Sequence, residues 1–219
     1  MDTLLLPALL ERYCTAHSTP PDETLLSIDH YSHLHTTKPQ MVSGAWQGSL
    51  LQMLSMMMTP SYIVELGTFT GYSAICLARG LAKNGKLISI ESDAEMQAKT
   101  RDLLSQAPEF DSIDFRHGRA LDVIPTLDEG IDLAFVDAKK DEYLEYYKAL
   151  LPKLRPGGVM LIDNILWYGK VMQEKKNKVA AHLDLVNKTI TADERVINSL
   201  IPIRDGLMMV VKRDLDPLP

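Results

Sequence analysis

The chain has 219 residues, of which 46% are hydrophobic and 24% charged, with a formal net charge of -6. That size and apolar content suit one α/β domain with a substantial core and exclude a disordered chain. The acidic balance argues against nucleic acid as the main partner, because phosphate contacts call for basic charge. Two cysteines, Cys14 and Cys76, set up neither a disulfide framework nor a zinc spacing.

In chain order, the start Met1-Asp2-Thr3-Leu4-Leu5-Leu6-Pro7 lacks the basic n-region of a signal peptide. No apolar run approaches the roughly 20 residues that span a bilayer, so a soluble, cytoplasmic protein is expected. Apolar spacing predicts helices over residues 4–16, 22–34 and 48–58. Pro20-Pro21 separates the first two, Asp22 is a plausible cap, and Thr59-Pro60 ends the third. Past Pro60 the pattern becomes an alternation. Strands are predicted over 62–66, 86–90, 112–116, 131–136 and 159–162, with helices over 73–82, 93–106, 120–127 and 140–154 between them. A helix over 179–189 and strands over 195–201 and 207–212 complete the chain. Cys76, inside Ala74-Ile75-Cys76-Leu77-Ala78, is expected in the core.

Alternating strand and helix is the signature of a parallel sheet wound by right-handed crossovers. The link Pro202-Ile203-Arg204-Asp205-Gly206 is too short for a crossover helix, so the last strand pair should be antiparallel. The expected fold is α/β: a Rossmann-like, doubly wound, seven-stranded sheet with helices on both faces. It forms one domain, with a helical extension over 1–60 and a core over 61–219.

In such sheets ligands bind at the carboxyl ends of strands. The first strand runs into Glu65-Leu66-Gly67-Thr68-Phe69-Thr70-Gly71-Tyr72-Ser73. The glycine spacing is G-x-x-x-G, not the G-x-G-x-x-G of dinucleotide enzymes, so a nucleoside ligand without a pyrophosphate fits better, and a nicotinamide-dependent oxidoreductase fits poorly. Glu91 ends the second strand, 20 residues past Gly71. It can accept hydrogen bonds from ribose hydroxyls or simply cap the next helix. The fourth and fifth strands run into Asp137 and Asp163-Asn164. These offer only oxygen ligands, which suit a hard divalent cation such as Mg2+, although Asp137 could instead cap a helix and Asp163-Asn164 form a turn.

These segments resemble the cation-dependent O-methyltransferases, a family that includes the catechol and caffeoyl-CoA enzymes and many bacterial relatives. The resemblance runs from about Met41 to Lys212. It implies S-adenosylmethionine as methyl donor, set against Glu65, Gly67, Phe69, Ser73 and Glu91. Gly118-Arg119-Ala120 would frame the adenine, with Ala120 giving its amide. Met41-Val42-Ser43, followed by Gln47-Gly48, would close over the cofactor. Asp137, Asp163 and Asn164 would hold the metal, with Asp137 also near the cofactor.

Lys140 occupies the place of the family's catalytic lysine. It could take the substrate proton if its site lowers its pKa, or be a solvated helix residue. Trp167, in Asp163-Asn164-Ile165-Leu166-Trp167-Tyr168-Gly169, could wall a planar substrate or pack in the core. The lysine-rich residues 168–178 are a candidate lid. Two departures stand out: many relatives have an acid where this chain has Lys139, which could favour an acidic substrate, and a glycine where it has Arg204.

Among His30, His33 and His35, only the first two have a helical ligand spacing. The cluster reads as pocket lining rather than a second metal site. Met53, Met56, Met57 and Met58 read as helix core filler. The resemblance therefore implies a homodimeric, Mg2+-dependent O-methyltransferase acting on a small catechol-like hydroxyl. A transfer RNA hydroxyuridine substrate and a non-catalytic S-adenosylmethionine-binding protein are the rivals.

Overall fold

The computed structural model describes residues 8–214. They divide into two compact units, Leu9–Ala120 and the chain from Leu121 onward.

The first unit opens with three helices. α1 (Ala8–Ala16) buries none of its residues; the part of the expected helix over 4–7 lies outside the described residues. α2 (Glu23–His35) begins where the Asp22 carboxylate accepts from Leu25 N at 3.1 Å, and it buries Leu25, Ile28 and Ser32 on one stripe. α3 (Gly44–Met58) starts a turn earlier than its apolar pattern and ends on Thr59, whose φ of 46° breaks the helix before Pro60.

β1 (Tyr62–Leu66), β2 (Lys86–Glu91) and β3 (Ile113–His117) pair in parallel, β2 lying between the other two. Every residue of β1 is buried, as expected of a strand covered on both faces. α4 (Tyr72–Ala78) links β1 to β2 and is shorter than expected. Its end is set by contact with α3. Ser55 Oγ donates to Leu77 O at 2.6 Å, and Gly80 approaches so closely that a Cβ there would fall 2.2 Å from the Ser55 carbonyl carbon. Cys76 is fully buried. α5 (Ala94–Leu104) is capped by Asp93, which accepts from Glu95 N and Met96 N at 3.0 Å each.

The second unit begins within α6 (Ala120–Val123), continues as a 3-10 turn through Thr126, and enters β4 (Ile131–Val136). The helix expected over 140–154 resolves into a 3-10 turn, then α7 (Tyr143–Leu150), then a second 3-10 turn carrying Pro152. β5 (Leu154–Ile162) is longer than expected. It absorbs Arg155-Pro156-Gly157-Gly158 through an irregularity opposite Ile131 and Leu133, a bulge that lets proline and glycine sit in a strand. α8 (Lys178–Thr191) buries Ala180, Leu183, Val186 and Ile190.

β6 (Val196–Ile201) and β7 (Leu207–Lys212) follow, and β7 runs antiparallel to both β5 and β6. The seven strands form one sheet in the order β3-β2-β1-β4-β5-β7-β6, the expected wound topology with one reversed strand. Among the described residues no helix is long and apolar enough to cross a membrane.

Candidate active site

In the first unit Gly67, Glu91 and Gly118 lie at or just past the carboxyl ends of β1, β2 and β3. β1 leads into a five-residue loop from Gly67 to Gly71. Gly67 (φ 95°) and Gly71 (φ 84°) take conformations that favour glycine, and Phe69 shares the left-handed region at φ 49°. A Cβ at Gly71 would also lie 2.5 Å from Leu104 Cδ1 on α5. The loop is stitched from several sides. Gly67 N donates to Ile90 O at 2.9 Å, and Gly71 N donates to Thr68 O at 2.9 Å. Ser32 Oγ on α2 donates to Thr70 Oγ1 at 2.8 Å, and Thr100 Oγ1 on α5 donates to Phe69 O.

Glu91 is part of this network. One carboxylate oxygen accepts from Phe69 N and the other from Asp93 N, both at 3.0 Å. Asp93, not Glu91, caps α5. Gly118 N donates to Glu91 O at 2.9 Å, bringing the end of β3 beside it. Arg119 is exposed and Ala120 buried. Glu65 is fully buried within the sheet, opposite Ser89 in the register. Its Oε2 accepts from Ser89 Oγ at 2.5 Å, and Ser89 Oγ meets Thr68 Oγ1 at 2.6 Å. Ser73 is buried in the first turn of α4. Met41 closes a 3-10 turn and is half exposed, whereas Val42 and Ser43 are buried. Thr68, Ser89, Ser32 and Thr100 are support residues absent from the sequence reading. Thr68 has the signal of a hydroxyl in the glycine turn and Ser89 that of a hydroxyl on the paired strand, whereas Ser32 and Thr100 reach the loop from α2 and α5 and carry no local signal.

In the second unit Val136 and Ile162 are partners on adjacent parallel strands, so Asp137 and Asp163 emerge side by side. Asp163 N donates to Val136 O at 3.0 Å. Asp163 is 3% exposed, and one of its carboxylate oxygens accepts from Asn164 N at 2.7 Å. Asn164 sits at φ 56°, which asparagine tolerates better than most side chains. Lys140 Nζ donates to Asp137 Oδ1 at 2.5 Å and lies 5.3 Å from the Tyr143 ring centre.

Burial is the largest influence on Lys140 and favours its neutral form. Asp137 and Tyr143 together outweigh it and hold the ammonium well above its ordinary value. This is opposite to the downward shift that a lysine base requires, and Asp137, ahead of Tyr143, is the main upward influence. Burial likewise pushes the Tyr143 phenol far up.

The donor set fits a hard cation in chemistry: two carboxylates and an amide offering oxygen ligands at neighbouring strand ends. Among the described residues no cluster of three His, Cys, Asp or Glu side chains could hold a metal, so this set depends on the Asn164 amide for its third ligand. His30 and His33 are exposed on α2, His33 Nδ1 lies 2.9 Å from Asp29 O of its own helix, and the His35 ring lies 4.7 Å from that of Tyr31.

After β5 the chain is strained. Trp167 (φ 48°) and Tyr168 (φ 53°) follow Asn164 into the left-handed region. Trp167 is half-buried, its ring 5.6 Å from that of Tyr168. Asp205, in the β6–β7 link, holds this turn. Its carbonyl accepts from Leu166 N at 2.9 Å and its carboxylate accepts from Tyr168 N. Burial pushes the Asp205 carboxyl up to about 6, against the opposing pull of the Tyr168 amide, Lys140, Arg204 and Lys170. Sequence reasoning noted only its neighbour Arg204. Lys139 faces solvent and pairs with Glu142 at 3.1 Å and Asp141 at 3.5 Å, so nearby acids answer its charge.

Across residues 15–213 the chain matches the O-methyltransferase family. It is 38% identical over 163 residues to a catechol O-methyltransferase of Niastella koreensis, covering 73% of each chain. It is 33% identical over 181 residues to caffeoyl-CoA O-methyltransferase 1 of Eucalyptus globulus, covering 77% of this chain and 74% of that one. Among solved structures, the O-methyltransferase TomG of Streptomyces achromogenes, in complex with SAM, superposes with a TM-score of 0.82 at 28% identity, covering 94% of this chain and 96% of TomG. By the family match and these relatives, this chain belongs to the O-methyltransferase family, in the group of the caffeoyl-CoA and catechol enzymes.

Proposed function

We propose that this O-methyltransferase takes its methyl group from S-adenosylmethionine and transfers it to a hydroxyl of a small catechol-like aromatic, with Mg2+ or another hard divalent cation, in the cytoplasm. The observation that carries this reading is the pairing of Val136 with Ile162, which sets Asp137 and Asp163 side by side with Lys140 on Asp137. The TomG complex with SAM supports the choice of donor.

The residues divide the work. Gly67 lets the loop backbone approach the cofactor closely, and Gly71 lets the loop pack against α5. Glu91, fixed by the Phe69 and Asp93 amides, accepts from the ribose hydroxyls. Asp137, Asp163 and Asn164 would hold the cation, which when bound lowers the pKa of a catechol hydroxyl. Were Asp137 to serve as a ligand, its hold on the Lys140 ammonium would weaken, and burial favours the neutral, proton-accepting form. The hydroxyl proton passes to Lys140 Nζ, the oxygen forms a bond to the methyl carbon, and the carbon–sulfur bond breaks, releasing S-adenosylhomocysteine. Trp167 supplies a flat apolar wall for the ring.

Exposed Leu9, Tyr13 and Met57 on α1 and α3 support a homodimer through these helices. Light scattering of the purified chain would give twice the monomer mass; a monomer at high concentration would refute the pairing.

The deciding experiment is methyl transfer from labelled S-adenosylmethionine to a catechol panel, with Mg2+ and with excess chelator. Transfer lost to chelator supports the reading. Cofactor binding without methylation of any catechol overturns the substrate, and hydroxylated transfer RNA becomes the next acceptor to try.

A further inference from the structure

The first unit contains a cavity of about 290 Å³, bounded by the Pro20-Pro21 link, the start of α2, α3 and the start of α4, and lined by none of the candidate cofactor residues. The volume lies near the lower end of small-molecule sites, about 300–1,000 Å³, and far above the roughly 30 Å³ share of one water. Leu25, Met53 and Met56 give it an apolar side, and Gln52, Tyr72 and Arg79 a polar one.

The polar side has a definite preference. Arg79 donates from Nε to Glu109 at 2.9 Å, from one terminal nitrogen to Asp22 at 2.6 Å and from the other to Gln52 Oε1 at 3.4 Å. Two carboxylates more than answer the guanidinium charge, so the site does not call for an anion. Tyr72 is 3% exposed, its ring seated against Gly48, where a Cβ would fall 2.6 Å from Cε1. The Tyr72 hydroxyl has no hydrogen-bond partner among the described residues, and burial, foremost, keeps it protonated. Gln52 Nε2 has only the Met56 sulfur, at 3.8 Å, a weak acceptor. Two donors without a strong protein acceptor thus line a partly apolar hollow, where an acceptor oxygen entering it can take a hydrogen bond.

We infer that this cavity is a second small-molecule site, taking a neutral ligand with a hydrogen-bond-accepting oxygen on an apolar body of about one ring, such as an aryl ketone or lactone. Nothing in this site draws on the methyl-transfer chemistry, so either can fail alone.

The test is NMR of the full chain labelled with 13C-methyl methionine and titrated with acetophenone, ethylbenzene or benzoate. The Met53 and Met56 signals move saturably with acetophenone. Ethylbenzene lacks the acceptor and benzoate carries a charge, and each binds about five- to tenfold more weakly, the usual scale for one hydrogen bond. Tyr72→Phe weakens acetophenone by the same factor, and Ser49→Leu, which fills the cavity, abolishes its binding. No saturable movement, or equal binding of the three probes, overturns the inference, as does Tyr72→Phe binding acetophenone like the parent. The three-probe comparison on the parent chain decides the matter even if a variant does not fold.

Discussion

The two units build their ends of the sheet by different means. In Leu9–Ala120 the loop after β1 is held mostly by neutral hydrogen bonds: backbone to backbone at Gly67 and Gly71, and hydroxyls at Ser32, Thr68, Ser89 and Thr100. From Leu121 onward the corresponding positions concentrate charge: Asp163 nearly inaccessible, Lys140 on Asp137, and Asp205 with a carboxyl raised to about 6. The first arrangement suits recognition, because fixed dipoles need no rearrangement when a ligand arrives. The second suits chemistry, because buried charges respond strongly to any change in a neighbour.

That contrast can be broken most forcefully at Asp163. Asp163→Ala should lower catechol methylation by about a thousandfold or more, the scale of several kcal/mol of lost charge stabilisation. Calorimetric affinity for S-adenosylmethionine should stay within a factor of about three. A parallel collapse of cofactor affinity would mean that the division of labour is wrong. Lys140→Met should cost about 10²–10⁴ in turnover at saturating substrate, the range for general acid–base groups. Retention of most activity would reassign the proton to water.

On the recognition side, Glu91→Gln should weaken S-adenosylmethionine binding about tenfold, consistent with hydrogen bonds to a charged group, and leave turnover at saturating cofactor nearly unchanged. A turnover loss as large as that of Lys140→Met would erase the contrast.

The smallest effect concerns stability. Between the unfolded value of an aspartate, about 3.9, and its folded value of about 6, the folded chain keeps a proton on Asp205 that the unfolded chain has released. Stability attributable to Asp205 therefore falls as pH rises through that window. The Tm of the parent relative to Asp205→Asn should decline from pH 4 to pH 6 and then level off. A flat difference would show that burial does not govern this carboxyl.

The same contrast explains what the sequence discloses. The strand order and the reversed last strand follow from alternating patterns and one short link. The loop after β1 is legible because its backbone requirement is written as glycines at 67 and 71. Helix ends were less legible: α4 stops at Ala78 because α3 leaves room only for Gly80, a contact between segments distant in the chain. β5 hides behind Arg155-Pro156-Gly157-Gly158, which reads as a turn until the bulge opposite β4 accommodates it. Asp205 is unremarkable in a short polar link, and only folding buries it against the Tyr168 amide. Lys140 shows the same limit. Its position was evident, but the upward pull of Asp137 on its proton depends on a 2.5 Å contact.

The reversal of β7 has a consequence of its own. In register, Met208 on β7 faces Ile162 on β5, so the link from Ile201 to Leu207 arrives at the same end of the sheet as Asp163. In an all-parallel sheet that end receives only what each strand carries past its carboxyl terminus. Here a short hairpin adds a segment that can lengthen, shorten or change composition without rewinding a single crossover. The surroundings of Asp163 can thus change within five residues, Pro202 to Gly206, while the strands beside it stay as they are.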